Sequence, residues 1–402
     1  MLKDFIDTIK DKNTIWVMEN RDNGDRIFSK FVTPNLFSST YVIVSSEVAY
    51  IFVHKLDEGN IGDLDKKYSK VFVYTSGTEL KEKIAQSLKE LNYPKKMLVS
   101  YSTMSDENTD IITHSSYLRM TRIFRGIYRD AGKKVKVRSA EMNIYNILSK
   151  NSNETLDRLK KLATLTDEIL KQSFESIKLG QMELDIAYST KKIMKKVMDE
   201  NKEKLGLVSY DFAWDICPIV LVGKNLEKGG HASPSNTKIK RGDTVYYDFG
   251  VKAVFSDGEV LYTDMQRMGY MLKDGENTAP SKVQHVFDTL VSSIQLGMEA
   301  MKPGVKGYKV DEIVRGKIKE EFNRDYPHAT GHPVGHEVHG AGALISMRGS
   351  KRANMKLVET GVYTLEPRVD IPNGGSIEEM IEVTKDGGVP LCKMQKQIYL
   401  IK

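Results

Sequence analysis

The chain has 402 residues, 40% of them hydrophobic and 28% charged, with a formal net charge of +6. The length exceeds one typical core and predicts two domains; the composition is that of a globular protein, and the modest charge argues against a nucleic-acid binder. Two cysteines, Cys217 and Cys392, make neither a disulfide framework nor a metal motif. No stretch reads as a membrane span or a leader, so a cytoplasmic protein without membrane contact is expected.

In chain order, Leu2, Phe5, Ile6 and Ile9 recur at helical spacing. Strand-like runs follow at 14–18, 41–45, 49–54 and 70–74, the middle two close enough for a hairpin. A helix is predicted over 78–91, capped by Ser76 or Thr78, with Leu80, Ile84, Leu88 and Leu91 on one face. A further strand is expected at 96–101, and the basic run 133–138 reads as a linker or an edge strand. Residues 1–137 thus form a mixed α/β domain without visible chemistry. Helices are expected over 139–148, 154–177 and 182–205, with Asn153 as a cap and Gly180 as a stop. Residues 138–152 form a linking region with a boundary at Asn151–Ser152–Asn153, and 153–402 the second domain.

The chemistry collects in the C-terminal half. The stretch TGHPVGHEVHGAG (330–342) holds His332, His336 and His339. Spacing of i, i+4 could make a helical zinc face, but Gly331, Pro333, Gly335 and Gly340 oppose a helix and favour a strand or loop. A loop at 223–243 carries His231. Residues 244–271 alternate, turn at Ser256–Asp257–Gly258, and alternate again. Asp248 and Asp264 have their midpoint at Ser256, so a hairpin sets them nearly opposite, where two acids call for a cation. Asp257 competes for that role but falls on the other face by parity. Glu366 lies on a strand, and Glu378 begins the next one after the Asn373–Gly374–Gly375 turn, so these two are expected to meet across strands. Glu379 and Glu382 are expected to face solvent. Together the Asp, Asp, His, Glu, Glu set can hold two divalent ions, which activate a water and polarise a carbonyl or phosphoryl oxygen. There is no P-loop and no GxGxxG.

In this order the residues resemble the pita-bread metallopeptidases: Xaa-Pro aminopeptidase, Xaa-Pro dipeptidase (prolidase) and methionine aminopeptidase, with metal-free creatinase as a relative. Asp248 in DFG, Asp264 in TDMQR, His332 in GHPVG, Glu366 in LEP and Glu378 in IEE match the five metal ligands. His231 and His339 match two histidines that handle the substrate carbonyl and the tetrahedral intermediate. The matches run over 223–388, and the N-terminal domain looks similar to that of the Xaa-Pro and creatinase branch.

The resemblance implies an α+β chain: a mixed α/β creatinase-like domain, then a pita-bread domain with a curved antiparallel sheet flanked by helices. It implies a homodimer with two divalent ions (Mn, Co, Zn or Fe) acting on small Xaa-Pro peptides. A hydroxide bridging the ions would attack the amide, with Glu366 as general base and His231 and His339 as its catalytic partners. The sequence departs from the pattern in a longer hairpin, in Gln266 for threonine, in His336 for an aliphatic residue, in Gly340 for glutamate and in Ser376 for arginine. Arg368, in the neighbouring strand, is placed to compensate for the last. These departures keep an alternative open, a metal-dependent hydrolase or lyase on a small non-peptide substrate. A non-catalytic binding protein is disfavoured because unpaired buried acids are costly.

Overall fold

Apolar runs become buried strands in the first of two units, Met1–Leu148 and Ser149–Lys402, into which a computed structural model divides the chain. Residues 2–20, 27, 36–62, 64–104, 106–228 and 232–402 are described. In the first unit, β1 (Thr14–Asn20), β2 (Thr40–Val44), β3 (Ala49–His54), β4 (Ser69–Tyr74), β5 (Lys96–Val99) and β6 (Lys136–Ser139) form one mixed sheet in the order β4-β3-β2-β1-β5-β6. Among the described residues its helices include α1 (Leu2–Thr8), α2 (Gly77–Glu90), α3 (His114–Asp130) and α4 (Glu141–Leu148).

Strand alternation divides β1 between two cores. Ile15 and Val17 pack with Leu80, Ile84, Met120 and Phe124 of α2 and α3, while Trp16 and Met18 pack with Phe5 and Ile144 of α1 and α4. Both faces are therefore covered, and β1 is buried throughout. Ser76 caps α2, its hydroxyl accepting from the Glu79 amide at 3.2 Å. The basic run ends in β6, an edge strand.

The second unit contains α5 (Asn153–Ser176), α6 (Glu183–Leu205), α7 (Ser281–Ala300) and α8 (Gly307–Phe322). Ser152, not Asn153, caps α5, accepting from the Thr155 amide at 3.0 Å. Helices α3, α7 and α8 are not among the elements expected from the sequence. In α3, Arg119, Arg122, Arg125 and Arg129 interrupt the apolar pattern, which becomes clear only once the buried Met120, Phe124 and Ile127 are known.

The strands of this unit are β7 (Leu207–Phe212), β8 (Ile219–Val222), β9 (Thr244–Phe249), β10 (Val251–Phe255), β11 (Val260–Tyr262), β12 (Met265–Met271), β13 (Val362–Leu365), β14 (Arg368–Val369), β15 (Gly375–Ser376), β16 (Glu379–Thr384), β17 (Gly387–Pro390) and β18 (Tyr399–Ile401). They form sheets ordered β18-β12-β9-β8, β11-β10-β7, β13-β16-β17 and β14-β15. The ladders are antiparallel except β12 with β18. The unit is thus the α+β arrangement expected, helices on antiparallel sheets.

Odd-numbered positions of β9 (Val245, Tyr247, Phe249) pack on α5 and α6. Even-numbered positions of β12 (Met268, Tyr270) pack on α7 and α8 with Leu365 and Ile377. The face carrying the acids therefore points away from α5 and α6. Gly250 permits the step from β9 to β10, because a Cβ there would sit 2.1 Å from the Thr263 carbonyl oxygen. Among the described residues no helix is long and apolar enough to cross a membrane.

Candidate metal centre

Register decides which acids meet. Met265 pairs with Phe249 and Gln266 with Asp248, and Lys252 pairs with Tyr262 further along. The ladder is thus centred on Asp257, one residue beyond the midpoint of the two aspartates. Asp248 faces Gln266, and Asp264 lies on the same face but diagonally, opposite Gly250. The expectation of two nearly opposed aspartates is corrected by that one-residue offset; diagonal neighbours still meet.

The glutamates do face one another. Leu365 pairs with Glu379 and Arg368 with Ser376, so Glu366 and Glu378 occupy opposite positions between these two ladders. The Glu378 amide donates to the Gln266 carbonyl at 3.0 Å, tying the glutamate strands to β12.

His332 enters on an extended segment, as its glycines and proline predict, with bridges Gly331–Ile345 and Pro333–Tyr363. A Cβ at Gly331 would meet the Thr364 carbonyl oxygen at 1.9 Å, so glycine is what lets this segment lie on β13. The His332 amide donates to Thr364 Oγ1 at 3.2 Å. Its Nδ1 lies 3.1 Å from the Pro333 carbonyl oxygen, an acceptor only, so Nδ1 carries the proton and Nε2 presents its lone pair. Nε2 is 3.6 Å from Asp264 Oδ2, 3.6 Å from Glu366 Oε1 and 4.0 Å from Glu378 Oε1. Two ligands each roughly 2.0–2.2 Å from one ion stand at most about 4.4 Å apart, so these separations suit a shared cation. Asp264, His332 and Glu378 each bring a ligand atom to within 4.8 Å of the others.

The donor set fits divalent ions. Both Glu378 oxygens and Asp248 Oδ1 are buried without a hydrogen-bond partner. Burial pushes the Asp248 carboxyl up to about 7. Burial, then the neighbouring acids, raise Asp264, Glu366 and Glu378 well above the carboxylate range. Burial lowers His332 to about 3, keeping it neutral and able to ligate. Carboxylates this close and this desolvated ionise together only with a cation among them.

Residues two positions from the candidate ligands form the surrounding layer. Tyr246 Oη donates to Asp248 Oδ2 at 3.2 Å, Gln266 Nε2 to Glu366 Oε2 at 3.2 Å, and Ser376 Oγ to Gln266 Oε1 at 2.6 Å. Thr364, two before Glu366, receives the His332 amide. Neither Tyr246 nor Thr364 is among the site residues expected from the sequence. The available signal is the strand period of two, which puts i±2 on a ligand's own face.

His339 is exposed, with its ring centroid 4.5 Å from that of His332. His336 is half-buried on the same segment. His231 lies outside the described residues. Asp257 is on the surface, paired with Arg158 at 2.8 Å. Glu379 does not face solvent as expected. It is 1% exposed and pairs with the fully buried Arg267 at 3.2 Å, which also holds Asp167 at 2.9 Å and the Glu378 carbonyl at 2.8 Å. Glu382 is half-buried and held by Lys160 at 2.7 Å. Parity misplaces Glu379 because an arginine on the far face of β12 makes that face polar too. Arg368 is cross-strand from Ser376, but its guanidinium bonds to the Leu226 carbonyl and to Asp370.

The model of metallopeptidase family M24 matches residues 157–385, and the chain belongs to that family. It is 31% identical over 260 residues to YkvY of Bacillus subtilis, a protein named as a dipeptidase, and the match spans 63% of each chain. The fold is similar to that of an X-Pro aminopeptidase from Thermotoga maritima, with a TM-score of 0.66, 20% identity and coverage of 96% of this chain and 97% of that one. It is also similar to an Xaa-Pro dipeptidase from Bacillus anthracis, with a TM-score of 0.67, 19% identity and coverage of 100% and 99%.

Proposed function

We propose that the protein is an exopeptidase that hydrolyses the Xaa-Pro bond of small peptides, with two divalent ions held by Asp248, Asp264, His332, Glu366 and Glu378. The observation carrying this is the gathering of Asp264, Glu366 and Glu378 oxygens within 4.0 Å of the lone pair of His332 Nε2, together with the buried oxygens of Glu378 and Asp248 that have no hydrogen-bond partner. When bound, the two ions acidify a water and polarise the scissile carbonyl. Glu366, fixed at Oε2 by Gln266, takes the proton of the attacking water and passes it to the departing nitrogen. His339, exposed beside His332, donates to the developing oxyanion, and His231 serves the same carbonyl. Proline after the scissile bond lacks an N–H, so a site that holds the carbonyl rather than that N–H suits it. A homodimer in the cytoplasm completes the reading, supported by the resemblance and by two unpaired cysteines.

The test is hydrolysis of Ala-Pro and Ala-Pro-Ala by protein stripped of metal and then supplied with manganese, cobalt or zinc. Metal-dependent cleavage of the dipeptide alone makes it a prolidase, and cleavage of the first bond of the tripeptide an aminopeptidase. Two bound ions without cleavage of either would overturn the peptidase reading in favour of a small non-peptide substrate.

A further inference from the structure

Gln266 and Ser376 depart from the family pattern at separate places in the sequence, yet they touch in the fold. Gln266 is 6% exposed on β12 and Ser376 is 1% exposed on β15. Ser376 Oγ lies 2.6 Å from Gln266 Oε1 and 2.8 Å from the Pro367 carbonyl oxygen. At its other end, Gln266 Nε2 lies 3.2 Å from Glu366 Oε2. With a cation present Glu366 is ionised, and the alternative amide orientation would set a carbonyl oxygen against that carboxylate; the N–H group therefore faces Glu366, and the amide oxygen takes the single hydrogen of the Ser376 hydroxyl.

We propose that Gln266, oriented by Ser376, is a positioning residue that holds Glu366 with Oε2 turned aside and Oε1 directed at the metal centre. This rests on the metal-centre reading above. Gln266 is suited to the task because it spans both halves of the centre. It faces Asp248 in register, its carbonyl receives the Glu378 amide, and its side chain holds Glu366. A neutral amide donates without adding charge to a carboxylate cluster, and one of its two N–H hydrogens is enough to select one carboxylate oxygen. The two departures therefore act as one device, a serine holding an amide that holds the acid.

The experiment compares wild type, Gln266→Met, Ser376→Ala and the double variant. Manganese binding to the metal-free proteins is measured by calorimetry, beside kcat and KM on Ala-Pro and thermal unfolding. Gln266→Met keeps length and removes the donor, so manganese affinity and kcat each fall roughly 10- to 100-fold while KM is unchanged. Ser376→Ala shifts both in the same direction but less. The double variant is no worse than Gln266→Met, because the serine acts through the amide. Wild-type affinity and kcat in Gln266→Met would overturn the inference, as would lowered melting temperature with unchanged affinity in the folded protein. If Gln266→Met does not fold, Ser376→Ala decides, and wild-type affinity and kcat there overturn the inference. Absence of manganese binding by wild type would instead overturn the metal-centre reading.

Discussion

Asp248 on β9 stands directly across from Gln266 on β12, and Asp264 meets Asp248 only on the diagonal. One amide therefore sits in register among the four acids, on the face that carries Asp248 and Asp264. Asp257, at the centre of the ladder, is carried out to the surface and to Arg158.

This arrangement separates the two candidate aspartates by experiment. Asp264→Asn removes an acid 3.6 Å from His332 Nε2 and is expected to abolish tight metal binding and activity. Asp257→Asn breaks an exposed pair and is expected to change stability by no more than about 1 kcal/mol, with metal content unchanged. Metal analysis of the purified variants decides; equal losses would make Asp257 the ligand.

His339 is exposed beside His332, while the atoms near His332 Nε2 are carboxylate oxygens. His339→Ala is expected to lower kcat by roughly 100-fold, as loss of an oxyanion donor does, and to leave metal content at the wild-type level. A large fall in bound metal would make His339 a ligand.

The acid cluster ties stability to pH. Asp248 rises from its ordinary value of 3.8 to about 7 in the folded, metal-free protein. The folded form then holds this proton more tightly than the unfolded chain. The stability so gained is fully present below the ordinary value and is lost as pH rises through about 7. Chelator-treated protein is expected to melt at a lower temperature at about pH 8 than at about pH 5.5. Added manganese should raise the melting temperature more at the higher pH, where protons no longer compete. An equal manganese shift at both values would contradict this.

Arg267 is fully buried between Glu379 and Asp167. Arg267→Met strands the Glu379 charge and is expected to cost about 3–5 kcal/mol in urea unfolding. Adding Glu379→Gln removes the stranded charge and should recover part of that loss. A double variant as unstable as the single would show that packing, not charge, dominates there.

Local pattern is what the sequence by itself determined. Ile84 and Leu88, Ile15 and Val17, and the Gly331–Pro333 interruption each declare a period or its failure through near neighbours. The helix, strand and extended segment they mark are those found, and the order of Asp248, Asp264, His332, Glu366 and Glu378 names the acids and imidazole that the fold assembles. Tertiary structure alone decided the rest. Whether Asp248 faces Asp264 or Gln266 depends on a two-residue shift of register, and alternation reads the same either way. Glu379 reads as a solvent-facing acid until the buried Arg267, more than a hundred residues away in sequence, becomes its partner. Ser376 and Gln266 read as two unrelated departures until β12 and β15 bring their side chains into contact. Periodicity is set by each residue's own backbone, whereas register, charge pairing and side-chain contact are set by whatever the chain brings back from far away.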